Sequence, residues 1–125
     1  SDMIAHTGNF DSAVNAIEVI DREVRRIFDA TLGHDGILII TSDHGNVEQM
    51  INPLTGNKET QHNLSPVPFY LVGKEFVNVK SDNEAKQSEK QITGMLSDVA
   101  PTILDLMHLP IPNEMTGTSL LKMLR

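Results

Sequence analysis

Two carboxylates and three imidazoles fall where metal chemistry is possible: Asp2 and His6, the adjacent pair Asp43-His44, and His62. Asp2 and His6 are four residues apart and precede a Thr7-Gly8 turn. On a helical turn both side chains would face one point. A carboxylate oxygen beside an imidazole nitrogen suits Mn²⁺ or Zn²⁺, and selectivity weakens as the share of oxygen rises. Asp43 and His44 are followed by Gly45 and Asn46. Adjacent side chains point in different directions, so this position can reach two neighbouring cations or two edges of one. Gly45 allows close backbone approach. Plainer readings stand beside these: solvated residues at a loose terminus for Asp2 and His6, a capped turn for Asp43-His44, and a surface loop residue for His62. Taken together, the five lie in three segments, each beside an expected element end. They form a donor set fit for one or two divalent ions, and a pair of metals about 3.5–4 Å apart serves phosphoryl transfer. His34 closes a helix and His108 sits near a helix C-terminus, where a cation is favourable anyway, so neither joins the site.

The elements that must position these residues follow from periodicity. Ala13, Ile17, Ile20, Val24, Ile27 and Phe28 recur mostly at spacings of three and four, which predicts an amphipathic helix over 11–31, capped by Asn9 or Asp11 and ended by Gly33. Gly36-Ile37-Leu38-Ile39-Ile40-Thr41 reads as a strand buried on both faces. A helix followed by such a strand argues for an α/β fold with a parallel sheet. Asp43 and His44 then leave the carboxyl end of that strand, where open α/β sheets place their ligands. The turn residues of 52–57 suggest a small hairpin between 47–51 and 58–61. Residues 67–73 read as a second strand, with Pro68 at its start or on an edge. The polar stretch 78–90 reads as a surface loop, with room for a short edge element. Ser97 or Asp98 caps a helix through Met107, with Pro101 in its first turn. A short last helix is expected over Thr118–Met123.

Composition narrows the function classes. Seventeen acidic residues against ten basic give a formal net charge of −7, which argues against nucleic acid as a partner. Two divalent ions would supply about +4 against it. There is no cysteine, so thiolate metal sites, Cys nucleophiles and disulfides are excluded. No apolar run approaches a membrane span, and no signal peptide is evident. The expectation is a globular cytoplasmic protein.

Five blocks carry a specific resemblance. Asp2-Met3-Ile4-Ala5-His6-Thr7-Gly8 is similar to the Asp-Met-Val-Gly-His-Thr-Gly stretch of cofactor-independent phosphoglycerate mutases, a metal-dependent family of the alkaline phosphatase superfamily. Thr41-Ser42-Asp43-His44-Gly45-Asn46-Val47-Glu48-Gln49-Met50 resembles the family's Thr-Ala-Asp-His-Gly-Asn-Ala-Glu-Gln-Met signature. Pro66-Val67-Pro68-Phe69, Leu96 to Leu104, and Glu114 to Leu120 resemble further landmarks in the same order.

The resemblance implies a partial three-layer αβα, alkaline-phosphatase-like domain with a mostly parallel sheet. Residues 1–125 would be the C-terminal portion of the metal-binding phosphatase domain, without its N-terminal portion and inserted transferase domain. It implies two Mn²⁺ or other divalent ions: Asp2, His6 and His62 on one, Asp43 and His44 on the other. The parent would be a monomer that interconverts 3-phosphoglycerate and 2-phosphoglycerate through a phosphoserine. The nucleophilic serine would lie outside this sequence, so the chain alone would be inactive. Ser12 and Ser42 are not candidates to replace it, since Ser42 stands where the family commonly has Ala. Glu59 and Asn63 depart from the His-Thr-x-His-Thr pattern often found around the third ligand, and Ala5 replaces a common Gly. The alternatives are a related phosphatase or phosphopentomutase of the same superfamily, or a non-catalytic metal-binding module.

Overall fold

A computed structural model describes residues 1–77, 81–88 and 90–124. The described chain divides into two compact units, 1–75 and 76–125.

The first unit opens with the short helix α1 (Asp2–Ala5), which packs against the long helix α2 (Phe10–Gly33). Asn9 caps α2 as its sequence suggests: its Oδ1 accepts the Ser12 N–H at 3.0 Å. The helix runs through Gly33, and the chain reverses at Asp35, which takes a left-handed φ of 54°. The expected apolar stripe of α2 is present but covered unevenly. Ala13 is buried, Val24 and Phe28 are half-buried, and Ile17, Ile20 and Ile27 stay exposed. Val24 and Ile27 share an apolar groove with Leu38, Ile39 and Ile40.

Strand β1 (Leu38–Thr41) pairs with β2 (Phe69–Val72), with Leu38 opposite Val72 and Thr41 opposite Phe69. The pair is antiparallel, so helix and sheet mix as expected but this ladder departs from the expected parallel arrangement. The connection over 42–68 contains no crossover helix, only a 3₁₀ turn at Val47–Gln49, and a parallel pair needs a crossover. An antiparallel strand on a mostly parallel sheet is a common mixture. With one strand beside it, β1 is half-buried rather than enclosed on both faces. The hairpin expected over 47–61 reduces to its tip. Asn52 N–H donates to Asn57 O at 2.8 Å, Glu59 N–H donates to Met50 O at 2.9 Å, and Ile51 bridges Lys58.

The second unit contains α3 (Asp82–Ser88), α4 (Val99–Leu106) and α5 (Leu121–Leu124). Helix α3 falls inside the stretch expected to be a loop, of which residues 78–80 and 89 lie outside the described residues. Its start carries a local signal: the Ser81 hydroxyl and N–H both donate to Glu84 Oε2, at 2.7 and 2.9 Å. That is the Ser-x-x-Glu capping box.

Asp98 does not cap α4 with its side chain. Its two oxygens accept the N–H groups of Met95 and Thr118, each at 2.8 Å. One turn on, the Thr102 hydroxyl donates to Asp98 O at 2.6 Å and accepts Leu120 N–H at 2.9 Å. A further turn on, Asp105 accepts the Ser119 hydroxyl at 2.5 Å. Positions 98, 102 and 105 lie on one helical face, so this face fastens the returning segment 118–120 by hydrogen bonds. Leu120 and Leu121 are then buried. His108 takes a left-handed φ of 55° just after α4, a chain-ending position.

Candidate metal centre

Helix α1 makes the four-residue spacing of Asp2 and His6 effective. His6 is the residue that ends the helix, and its Nε2 lies 3.3 Å from Asp2 Oδ1. The loop before β2 brings in His62, whose Nε2 is 3.0 Å from Asp2 Oδ1 and 3.1 Å from His6 Nε2. Among the described residues these three form the one group of three or more His, Cys, Asp and Glu donors close enough to share an ion.

Separations of 3.0–3.3 Å are ones that a single proton on His62 Nε2 can bridge. They also match a shared ion. Donors at about 2.0–2.2 Å from one cation, at angles between octahedral and tetrahedral, lie about 2.8–3.6 Å apart. Tautomer chemistry agrees. His6 Nδ1 is 2.5 Å from the Thr60 carbonyl oxygen, so the proton belongs on Nδ1 and the Nε2 lone pair faces the group. Metal-binding imidazoles are oriented in this way. The residues present therefore fit a divalent cation.

Asp43 and His44 emerge past the end of β1 as expected, yet their donor atoms stand apart from this group. The Asp43 side chain is 86% exposed and lies 3.5 Å from His44 Nε2. The His44 ring stacks on His62, with centroids 3.6 Å apart and planes 20° apart. The pair thus abuts the convergent group through a ring face. The Ser42 hydroxyl donates to the His44 carbonyl at 2.9 Å, so it serves the turn.

Residues outside the expected set hold the group in place. Buried Asn46 donates from Nδ2 to Asp2 Oδ1 at 3.0 Å, and its own N–H donates to Glu48 Oε2 at 2.8 Å. Burial alone would push the Glu48 carboxyl up. The N–H groups of Asn46 and Glu48 and the side chains of Ser65 and Asn63 outweigh it and hold the group below its ordinary value. Asn63 N–H donates to Gly45 O at 3.0 Å, and Asn63 Oδ1 accepts Ser65 N–H at 2.8 Å. These bonds tie the loop carrying His62 to the loop carrying His44. Asn46 and Glu48 were visible only as members of the Asp-His-Gly-Asn-x-Glu block. Thr60 contributes a backbone carbonyl, which any residue type would supply, so no sequence signal could mark it.

Comparison with known proteins gives a consistent picture. Residues 1–111 match a family described as the metalloenzyme superfamily. The 2,3-bisphosphoglycerate-independent phosphoglycerate mutase of Francisella philomiragia is 43% identical over 122 residues, which is 98% of this chain and 22% of that protein. The enzyme of the same name from Clostridium novyi is 45% identical over 121 residues, 97% of this chain and 22% of the relative. A crystal structure of Leishmania mexicana phosphoglycerate mutase at low cobalt concentration superposes with a TM-score of 0.71 at 27% identity, covering 94% of this chain and 22% of that one. The chain therefore spans about a fifth of the length of these relatives.

Proposed function

The chain belongs to the metalloenzyme superfamily, and we propose that it is the metal-binding part of a cytoplasmic, 2,3-bisphosphoglycerate-independent phosphoglycerate mutase. In this reading Asp2, His6 and His62 hold one divalent cation, manganese being the first choice. Asp43 and His44 serve a second, beside the first. The complete enzyme interconverts 3-phosphoglycerate and 2-phosphoglycerate. The observation that carries the reading is the convergence of three donor atoms at 3.0–3.3 Å from segments some 56–60 residues apart.

When bound, divalent ions supply positive charge against the charge of a transferring phosphoryl group. The chain's own residues supply the setting. Thr60 holds the His6 proton on Nδ1, Asn46 holds Asp2, and the His44 ring braces His62. Phosphoryl transfer needs charge stabilised at both the attacking and the leaving oxygen, and a nucleophile activated by a base or metal. The Ser42 hydroxyl is turned to the His44 carbonyl and serves the turn, so it is not put forward for that role. The 125-residue chain by itself is therefore expected to be inactive.

Calorimetric titration with Mn²⁺ tests the reading. Saturable binding near one equivalent or more, lost in the His6→Ala, His62→Ala double variant, is the expected result. Equal heats from parent and double variant would sink it. Turnover of 3-phosphoglycerate by the purified chain would refute the inactivity.

A further inference from the structure

We propose that Asn46 and Glu48 form a positioning clamp that sets the Asp2 carboxylate for cation binding, an inference that rests on the metal reading above. Neither is a ligand. Glu48 Oε2 is turned to the Asn46 N–H, and Asn46 presents a donor rather than an acceptor to Asp2.

The need for a clamp follows from where Asp2 sits. Its side chain is 54% exposed and lies on a helix of four residues, so packing fixes it weakly. The last torsion of Asp is broad and roughly two-fold, which leaves the carboxylate free to rotate. All of its side-chain contacts among the described residues fall on Oδ1, from Asn46, His62 and His6. Two of those partners are themselves candidate ligands. Asn46 is the partner that is not a candidate ligand, and it has an anchor of its own. It is 8% exposed, and its backbone is held by an acceptor two residues on.

A carboxylate accepting a backbone N–H is a charge-assisted bond, stronger than a neutral one. The depressed Glu48 carboxyl keeps that acceptor ionised at neutral pH. The order of action is thus Glu48 on Asn46, Asn46 on Asp2, and Asp2 on the cation. Groups of this kind around a metal are worth about 10–100-fold in affinity.

Cobalt(II) is a suitable probe because its visible absorption reports ligand geometry as well as occupancy. Asn46→Ala should weaken Co²⁺ binding about 10–100-fold and shift or weaken the visible band. Its far-UV circular dichroism should match the parent's, and its thermal midpoint in chelator should fall by no more than a single lost hydrogen bond explains, so that the chain is fully folded at the titration temperature. Glu48→Ala should follow in the same direction. Glu48→Gln, whose amide oxygen still accepts the Asn46 N–H, should recover most of the affinity. A role confined to folding would leave Gln and Ala alike in cobalt affinity and band at a temperature where both metal-free chains are fully folded.

An Asn46→Ala chain with the parent's cobalt affinity and spectrum overturns the clamp. So does a Glu48→Gln chain no better than Glu48→Ala, and that comparison decides the matter if Asn46→Ala fails to fold. If the parent and His62→Ala take up cobalt alike, with no saturable band, the metal reading itself fails and the clamp falls with it.

Discussion

Gly45→Ala is the most informative single substitution, because its consequence can be worked out atom by atom. A Cβ at this position would lie 2.2 Å from Asn63 Oδ1, 2.5 Å from Glu48 Oε1 and 3.0 Å from Ser65 Cβ. Ordinary non-bonded contact needs about 3.5 Å, so both side-chain oxygens must withdraw by about 1 Å. Both groups are engaged: Asn63 Oδ1 accepts Ser65 N–H, and the other oxygen of the Glu48 carboxylate, Oε2, accepts Asn46 N–H and must move with Oε1. Losing or stretching both bonds costs about 1 kcal/mol apiece, hence about 2 kcal/mol of stability. The low end of the range applies because Glu48 is exposed.

The same displacement loosens Asn46 behind Asp2 and the Asn63–Gly45 bridge beside His62. Sites of this kind tolerate errors of about 0.5 Å, so cation affinity should fall by at least about tenfold. Thermal unfolding followed by circular dichroism reads the first effect, and Co²⁺ titration reads the second. Gly33→Ala is the matched control. Nothing lies within 4 Å of the added carbon, and alanine in place of glycine at a helix position gains about 0.5–1 kcal/mol. A Gly45→Ala chain with the parent's midpoint and cobalt affinity would show that this contact does not hold the site.

Two further outcomes concern the second unit. Gly117→Ala places a Cβ 2.1 Å from the Ser97 carbonyl oxygen and 3.0 Å from Asp98 N. Backbone must move, so urea denaturation should show a loss of about 1–3 kcal/mol, and an unchanged midpoint would contradict the close approach. Asp98 governs the acid limb. The N–H groups of Met95 and Thr118 hold its carboxyl below the ordinary 3.8. Its folded form therefore ionises more readily than its unfolded form, so its contribution is complete above the ordinary value and is lost as pH falls through the folded one. Glu48 acts in the same direction. The urea midpoint should drop on acidification from about pH 5 to pH 3, and Asp98→Asn should flatten that drop while lowering the midpoint at neutral pH. An equally steep drop in the variant would remove Asp98 from the account.

What could be read from sequence divides along a physical line. Helix α2 and strands β1 and β2 announce themselves by periodicity and by unbroken apolar runs, which are local properties. The Asp2–His6 pairing was also local, since one turn of helix suffices to bring the two together. His62 was placed with them through the family resemblance, because a donor 60 positions away leaves no periodic trace. Helix α3 was missed although its Ser81–Glu84 capping box was present, since a polar segment without an apolar stripe reads as a loop. The antiparallel direction of the β1–β2 pair was not legible for a related reason. A run such as Leu38-Ile39-Ile40 shows that a strand exists, but its partner's direction depends on the 42–68 connection. Asn46 and Thr60 act through one amide and one backbone carbonyl, and neither kind of contact has a signature in residue type alone.

The excess of acid over base also takes on a definite meaning. A net charge of −7 suggests at first a chain that gathers cations with its carboxylates at large. Yet the carboxylates whose placement matters most are committed to distinct tasks. Asp98 and Glu48 accept backbone N–H groups, and Asp105 accepts a hydroxyl. They add fasteners where buried apolar side chains are few among the described residues: Ala5, Ala13 and Met50 in the first unit, Leu120 and Leu121 in the second. Asp2 is different: it shares its oxygen with two imidazoles and is aimed by a buried amide. A carboxylate that holds structure must be saturated by donors, whereas one that binds a cation must keep a lone pair directed outward. Asp98, with an N–H on each oxygen, is of the first kind. Asp2, whose hydrogen bonds and ion pairs all fall on one oxygen, fits the second, and that asymmetry supports the proposed role of Asp2 as a cation ligand better than net charge can.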